Sequence, residues 1–439
     1  PQKTANNAPI FFNEYDRKQK NKRFRPLLSE KIVPLSAEKV NHTHIYAAIM
    51  KKLYFCLLTL IFCVPAVAEK SDSLRISLLT AAPGGQAYEL FGHTGIRVRD
   101  RHNDIVFHYG VFDFNAPHFF YRFTKGETDY SIGAAAYRDF IYSYVLRGST
   151  VYEQELSLTT AEAGRLLDAL LVNMEPDRIY RYNFLFDNCA TRPRDKIEQC
   201  LSGRIVYDES NASTATFREL IHRHTRNHPW LTFGIDLALG APLDRTATFE
   251  EQMFLPSILM ENAGKASIVD DTGVMRPLTG ETHTYEGVSG ISGENSPTLF
   301  TPLVVFTLLF ALVAVFSIWE YRRGRHIRAP DYVIFGLYGL FGCVLFFLIF
   351  ISIHPATSPN YSALWCHPFL WVIALCEAFA PGKRITTRLM SVLLLVSAGT
   401  IIAMPFLPQV FNPAFIPLAL IPAVRSITWL WIERKNGRL

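Results

Sequence analysis

Five apolar runs occupy the C-terminal third of the chain, and they restrict its fold more than any other feature. They span residues 299–318, 332–352, 365–380, 389–408 and 411–432. The first, second and fourth are long enough to cross a hydrocarbon core of about 30 Å, whereas the third is short and the fifth carries Arg425. Charged residues make up only 19% of the 439 residues, against about a quarter in soluble domains. The sequence therefore predicts a membrane protein, with a bundle of about five transmembrane helices over 298–439.

Basic residues indicate the orientation of these helices. Clusters of Arg and Lys lie between the first and second runs, between the third and fourth, and after the fifth. The other two connections, 353–364 and 409–410, contain neither Lys nor Arg. Because basic loops are retained in the cytoplasm, the pattern predicts a cytoplasmic C-terminus and an exported domain ahead of the first run.

A secretion signal at 50–68 agrees with that orientation. It starts at the first methionine of the chain, continues with a Lys pair and the apolar stretch 53–64, and ends in the cleavage motif Ala66-Val67-Ala68. Residues 1–49 look unlike a folded domain, which favours an over-extended gene start and a mature protein that begins near Glu69. A lipoprotein signal anchored at Cys63 is the alternative, but the bulky Phe62 precedes that cysteine.

One stretch of the exported part, residues 182–195, has the features of a reactive thiol. An aromatic, strand-like run ends at Asp187 and Asn188, Cys189 follows at once, and a helical pattern begins. Either residue could cap that helix, and so could Thr191, which would place Pro193 in the first turn. A cysteine at a helix N-terminus is favoured as the thiolate by the helix dipole, and the same N–H groups could form an oxyanion hole. The alternative is a buried structural cysteine.

The other exported cysteine, Cys200, is too distant to form a disulfide with Cys189. The two are eleven residues apart on one helical segment, about 16 Å along the axis. Cys189 is therefore predicted to be a free thiol.

A cysteine nucleophile needs a base, and His93 is the candidate with the most favourable context. It follows Gly92 at the start of a strand, in a segment, 93–110, that is predicted to form a β-hairpin. A Cys at a helix N-terminus with a His on a strand is the arrangement of papain-like enzymes, and the order His then Cys is that of their permuted relatives. For a third, orienting group the candidates are His108, Asp113, Asn115 and Asp187.

Other classes of site lack a sequence signal. No His, Cys and Asp spacing suggests a metal, and no Gly-rich loop or basic patch suggests nucleotides or nucleic acid, so no cofactor is expected. The catalytic domain is placed at 69–264, and the Gly, Ser, Thr and Glu-rich residues 265–297 are predicted to be a linker. Residues 112–144 are unusually aromatic, which indicates core packing, with part of the set available as a lipid-facing groove. In the outward loop 353–361, His354 and Asn360 either face substrate or belong to an ordinary helix connection.

Three motifs resemble a known family. They are LFGHTGIRV at 90–98, YGVFDF at 109–114 and FDNCATRPRD at 186–195. Shorter matches at 228–230, 234–236, 253–256, 354–355, 360 and 364–365 fit the same family. With these motifs the chain resembles the Lnb-type lipoprotein N-acyltransferases of the Bacteroidetes lineage over nearly all of 70–435.

The resemblance implies a fold, a reaction and a location. The fold would be α+β, a permuted papain-like domain similar to lecithin:retinol acyltransferase relatives, with His93 and Cys189 as catalytic residues. The enzyme would move an acyl chain from a phospholipid donor, through a thioester on the cysteine, to the α-amino group of a diacylated lipoprotein. It would lie in the bacterial inner membrane with its catalytic domain in the periplasm. A cell-wall cysteine peptidase or amidase and a non-catalytic membrane assembly factor are the alternatives.

Overall fold

The computed structural model describes residues 74–86, 89–175, 179–210, 212–288, 299–379 and 384–437. Residues 76–98 and those from 104 onward belong to one compact unit. The other described residues, 74–75 and 99–103, hold the beginning of the first strand and the turn of the first hairpin. The predictions for 1–49 and for the signal at 50–68 lie outside the described residues.

The first part of the chain alternates strands with short helices. The strands are β1 (Arg75–Ala81), β2 (His93–Arg99), β3 (Asp104–Val111), β4 (Asp129–Ala136), β5 (Val151–Leu156), β6 (Tyr180–Arg181), β7 (Gly203–Val206), β8 (Ser267–Asp270), β9 (Met275–Pro277) and β10 (Thr279–Tyr285). The helices are α1 (Phe119–Lys125), α2 (Tyr137–Val145), α3 (Thr160–Asn173), α4 (Thr191–Cys200), α5 (Phe217–Thr225), α6 (Pro229–Ala238), α7 (Phe249–Gln252) and α8 (Pro256–Lys265). Strands and helices alternate within one domain, so the predicted α+β class is confirmed.

A seven-stranded sheet in the order β10-β5-β1-β2-β3-β4-β6 forms the body of this domain. Its β1–β5, β5–β10, β3–β4 and β4–β6 pairs are antiparallel. The predicted hairpin over 93–110 is present as β2 and β3. The register of β3 and β4 places His108 opposite Gly133, where the missing side chain leaves room for the imidazole. A permuted papain-like topology stays a prediction.

Local sequence signals set the ends of the neighbouring helices. Residues 159–162 form a capping box, because Thr159 and Glu162 exchange side-chain and backbone hydrogen bonds at the start of α3. Thr216 and Glu219 do the same for α5. α3 and α4 then pack together beside the sheet.

The linker predicted over 265–297 is wrong for residues 267–285. Strands β8 and β9 extend a small sheet with β7, and β10 forms an edge of the seven-stranded sheet against β5. Residues 280–284 of β10 are all exposed, so the composition of the strand resembles that of a loop although its backbone is paired with β5 over 282–285.

Within 299–379 and 384–437, the described part of the membrane domain, four helices are long and apolar enough to span a bilayer. They are α9 (Pro302–Arg323), α10 (Ala329–Phe350), α12 (Arg384–Ala403, continued as a 3₁₀ turn to Phe406) and α13 (Phe415–Lys435), with the shorter α11 (Leu370–Phe379) between them. Of the about five transmembrane helices predicted, four are long enough to span, and the third, whose apolar run is short in the sequence, covers only about 15 Å as α11. Pro368 precedes it and Pro381-Gly382 follows it in the sequence, and proline limits helix extension on both sides.

α11 nevertheless reverses the direction of the chain. Trp371 donates to the Gly336 carbonyl at 2.6 Å, and the Tyr332 hydroxyl donates to the Glu377 carbonyl at 3.3 Å. Later residues of α11 therefore lie beside earlier residues of α10. α11 therefore runs antiparallel to α10 and leads back towards the N-terminal end of α10. This direction agrees with the basic residues, which lie before α10 and after α11.

The loop after α10 is tied to the sheet domain through backbone hydrogen bonds. The amides of Gly240 and Ala241 donate to the carbonyls of Ala356 and Pro359 at 2.8 and 2.9 Å. A Cβ on Gly240 would lie 2.0 Å from the Pro359 oxygen, so only glycine permits this approach. Asn360, from the same loop, donates to the Leu237 carbonyl at 2.8 Å. The loop thus fastens the membrane helices to α6.

Candidate active site

Cys189 lies two residues before the first residue of α4, in a turn that Asn188 organises. The buried Asn188 side chain accepts hydrogen bonds from the amides of Ala190 and Thr191 at 2.7 and 3.0 Å, so it caps the helix, as one of the predicted alternatives proposed. Its amide group donates to the carbonyls of Phe184 and Phe254 at 2.8 and 2.9 Å. These bonds hold the turn rigidly and leave the cysteine side chain on the side of the sheet.

The thiol is a free cysteine in an aromatic, largely apolar setting. Its sulfur interacts with the backbone N–H of Thr94 and with the Tyr182 hydroxyl. Gly110, at a φ of 96°, lies against it, since a Cβ there would be 3.9 Å from the Cys189 Cβ and 3.4 Å from the Tyr182 ring. Burial raises the pKa of Cys189 to about 11, although the Thr94 and Tyr182 hydrogen bonds favour the thiolate.

His93, the residue before Thr94, forms a pair with His108. The His93 Nε2 and His108 Nδ1 atoms are 3.2 Å apart, and the two rings meet edge to face. The ring of Tyr144, on α2, is stacked on the His93 ring with 6.1 Å between the ring centroids. The guanidinium of Arg147, in the turn after α2, lies 4.6 Å from the centroid of the Tyr144 ring. His108 therefore occupies Nε2 of His93, and Nδ1 is the other nitrogen of that ring.

Both imidazoles are neutral at physiological pH. Burial, with His108 and Arg147 nearby, lowers the pKa of His93 to about 3, and burial lowers the pKa of His108 to about 4. Burial therefore opposes the resting thiolate that is expected for a helix N-terminus. Cys189 precedes the first turn of α4, and removing a charge from water outweighs the helix dipole there.

Alkylation of Cys189 provides a test of that neutral resting state. Iodoacetamide reacts with the thiolate, so its rate at Cys189 is expected to rise about tenfold for each pH unit between about 7 and 10, because the thiolate fraction increases as the pH approaches a pKa of about 11. Intact mass spectra over time would give the rate, with Cys189→Ala as the background control. A rate that is independent of pH over this range would show a preformed thiolate–imidazolium pair and contradict the prediction.

The remaining candidate residues have other partners. Asp187 forms a two-pronged ion pair with Arg192, with Oδ2 and Nη2 2.7 Å apart. Asp113 accepts from the Asn115 amide at 2.8 Å in an exposed turn. His354 interacts with the Phe123 carbonyl at 2.9 Å through Nε2, and the buried Asn360 caps the short helix that follows it. Of the orienting groups considered from the sequence, the structure brings His108 to His93.

Three residues near the site escaped the sequence reasoning. Tyr182 and Thr94 contact the thiol, and Tyr144 covers His93. The period-two spacing of Tyr180 and Tyr182, which places both rings on one side of an extended segment, was the available signal for Tyr182. Tyr144 comes from α2, and no local pattern reports which strand that helix covers.

Fold and site together define a class: a multi-pass membrane protein whose α+β domain holds a cysteine beside a pair of histidines. The chain belongs to the Lnb family. It matches the Lnb N-terminal periplasmic domain over residues 67–223 and the Lnb transmembrane domain over 294–436, in that order. The resemblance seen in the motifs is thereby confirmed, and the sheet domain is periplasmic. No curated protein and no solved structure matches the chain.

Proposed function

We propose that this protein is a lipoprotein N-acyltransferase that uses Cys189 as its nucleophile. The observation that carries the proposal is the contact between the thiol and the backbone N–H of Thr94, the residue that follows His93 in the sequence. His93 is in turn hydrogen-bonded to His108 through Nε2. Membership of the Lnb family suggests an acyltransferase. The domain is fastened to membrane helices, where both a phospholipid donor and a lipid-anchored acceptor reside.

The first half-reaction loads the enzyme. The thiol proton moves to Nδ1 of His93 as Sγ attacks the carbonyl carbon of a phospholipid ester. The bond between that carbon and the glycerol oxygen breaks, the oxygen takes the proton from His93, and a lysophospholipid leaves. An acyl thioester remains on Cys189.

The second half-reaction transfers the chain. The α-amino nitrogen of the N-terminal diacylglyceryl-cysteine attacks the thioester carbonyl, and the carbon–sulfur bond breaks. His93 accepts a proton from the nitrogen and returns it to the sulfur, so the free thiol is regenerated. A neutral base is required at both steps, and the low pKa of His93 keeps it neutral.

The surrounding donors suit the oxyanion formed in each step. The Thr94 N–H and the Tyr182 hydroxyl already point at the sulfur, close to where a carbonyl oxygen bound to that sulfur would develop charge. His108 positions His93 by holding Nε2. The product would be a triacylated lipoprotein in the bacterial inner membrane, made on its periplasmic side.

Mass spectrometry of the intact protein tests the covalent intermediate. Protein purified from its native membrane without acceptor is expected to carry a fatty-acyl mass that hydroxylamine removes, because hydroxylamine cleaves thioesters. Cys189→Ala should lack this mass. Cys200→Ala, which removes the second cysteine of the same domain, should keep it.

Acceptor addition then separates the alternatives. Adding a diacylated lipopeptide with a free amino group should discharge the acyl mass and produce an N-acylated peptide. A protein that carries no adduct but cleaves peptidoglycan fragments would contradict the proposal and indicate a cysteine peptidase or amidase. A fatty-acyl adduct that is still present in Cys189→Ala would show that this cysteine is not the acylated residue.

A further inference from the structure

The short helix α1 exposes aromatic side chains to an unusual degree. Phe120 is 82% exposed, and Tyr121 and Phe123 are both about half exposed. The first residue of the helix, Phe119, is buried and fixes it to the domain. Three large aromatic rings on seven residues expose apolar area that a purely aqueous surface would not favour.

Contacts with α10 place α1 at the level of a membrane boundary. The Tyr121 ring meets the Phe347 ring at 5.9 Å, one turn before the end of α10. The Ile353 amide donates to the Lys125 carbonyl at 2.8 Å. The 22 residues of α10 cover about 33 Å, close to the thickness of a hydrocarbon core. α1 therefore lies where the hydrocarbon meets the headgroups on the periplasmic side.

The exposed surface of α1 continues onto the membrane helix. Phe350, Ile351 and Ile353, at the end of α10 and just beyond it, are also exposed. The side chains of Lys125 and Glu127 form an ion pair at 2.7 Å at the C-terminal end of α1. An apolar face continuous with a transmembrane helix and bordered by paired charges is typical of a segment that lies in a bilayer interface.

A row of aromatic rings connects α1 with the thiol. Phe119 is stacked on Phe112 at 5.6 Å, and Phe112 meets Tyr130 at 5.1 Å. Tyr130 is stacked on Tyr182 at 4.6 Å, and the Tyr182 hydroxyl interacts with the Cys189 sulfur. The contacts therefore run without interruption from α1 to the site, as a continuous apolar path within the domain in which Phe119 and Tyr130 are buried.

We propose that α1 inserts into the periplasmic leaflet of the membrane and that this row of rings marks the apolar side of the domain from which a phospholipid acyl chain approaches Cys189. The second statement rests on the proposed acyl transfer, whereas the first does not. Insertion would bring the ester of a lipid to the catalytic domain without complete extraction of its chains from the bilayer. The predicted lipid-facing role for part of 112–144 is thereby assigned to α1.

Photo-crosslinking from the bilayer tests insertion directly. The full-length protein would be reconstituted into vesicles of phosphatidylethanolamine and phosphatidylglycerol doped with a phosphatidylcholine that carries a diazirine on one acyl chain. After irradiation, peptide mapping is expected to find lipid on residues 119–125. The comparison helix is α2, in which Tyr142 is 65% exposed but which packs on the sheet. Equal labelling of both helices, or labelling confined to the membrane helices, would overturn the proposal.

A pair of matched substitutions tests the consequence for catalysis. Phe120→Asp is expected to raise the KM for vesicle-borne donor about tenfold and to reduce crosslinking at 119–125, since an exposed charge opposes insertion. Tyr142→Asp, an equivalent change on α2, should alter neither, and Phe120→Trp should retain insertion. Alkylation of Cys189 by iodoacetamide should proceed equally in all three, which shows that the site is intact. Equal effects of the two Asp variants would contradict the proposal.

The two proposals fail in different ways. Crosslinking at 119–125 in a protein that forms no thioester would support the insertion of α1 and contradict the proposed acyl transfer. Thioester formation without crosslinking at 119–125 would support the proposed acyl transfer and contradict the insertion of α1.

Discussion

Replacing His93 with Gln is expected to slow both acylation and deacylation of Cys189 by roughly 10³- to 10⁴-fold. The residue lies next to Thr94, whose N–H contacts the thiol, and burial lowers the pKa of His93 to about 3, so the imidazole is neutral before the reaction. With a thiol pKa of about 11, almost no thiolate exists at neutral pH without that base. Single-turnover measurements with a radiolabelled phospholipid and then a lipopeptide amine would give the two rates separately.

The appropriate control is His283→Gln, which makes the same chemical change at an exposed histidine on β10 of the same sheet. It should leave both rates unchanged. The Tm of His93→Gln should stay close to that of the parent protein, because glutamine retains polarity and approximate size. Loss of acylation with normal deacylation would contradict a single base acting in both steps, and unchanged rates in His93→Gln would remove His93 from the mechanism.

Local signals allowed much of the catalytic domain to be predicted. The hairpin of β2 and β3 follows from alternating residues on both sides of a polar turn, and the capping box at 159–162 marks the start of α3. Asn188 caps α4 because an amide before a helical pattern satisfies free N–H groups. Each of these features is decided by residues within about one turn of each other in the sequence.

Features decided by distant residues were the ones that sequence reasoning missed. β10 resembles a linker in composition, and it is a strand because β5 offers an unpaired edge more than a hundred residues earlier in the chain. The thiol was expected to ionise because the helix dipole is a local property, whereas its burial depends on Tyr182, Gly110 and the β2 backbone.

Arg425 shows how one sequence anomaly leads to a structural feature of the membrane domain. It interrupts the last apolar run and, with 0% exposure, lies in the middle of α13. Its guanidinium forms hydrogen-bonded ion pairs with Asp331 of α10 and Glu320 of α9, and Nη1 also donates to Ser317 at 3.0 Å. His326, in the loop between those helices, approaches both carboxylates, with Nε2 3.0 Å from Asp331. One buried cation thus joins three membrane helices.

Removing that cation is expected to be the most destabilising single change in the membrane domain. Arg425→Met retains most of the side-chain volume but leaves Glu320 and Asp331 buried together without their main counter-charge, at a cost of about 3–5 kcal/mol. The Tm in detergent should fall by roughly 10 °C. Arg323→Met, at the exposed end of α9 where the guanidinium lies 4.4 Å from the Trp319 ring, is the matched control and should lower the Tm far less.

A triple variant separates charge from packing. If the loss in Arg425→Met comes from uncompensated carboxylates, adding Glu320→Gln and Asp331→Asn should restore a large part of the Tm, because amides of the same shape carry no charge into the protein interior. The expected order is therefore parent, then triple variant, then Arg425→Met. A triple variant as unstable as Arg425→Met would show that the arginine acts through its packing and hydrogen bonds, and it would contradict an electrostatic origin of the effect. Restoration of the Tm would establish that α9, α10 and α13 are held together because Arg425 neutralises the charges of Glu320 and Asp331. These helices belong to the part of the chain that holds the catalytic domain at the membrane.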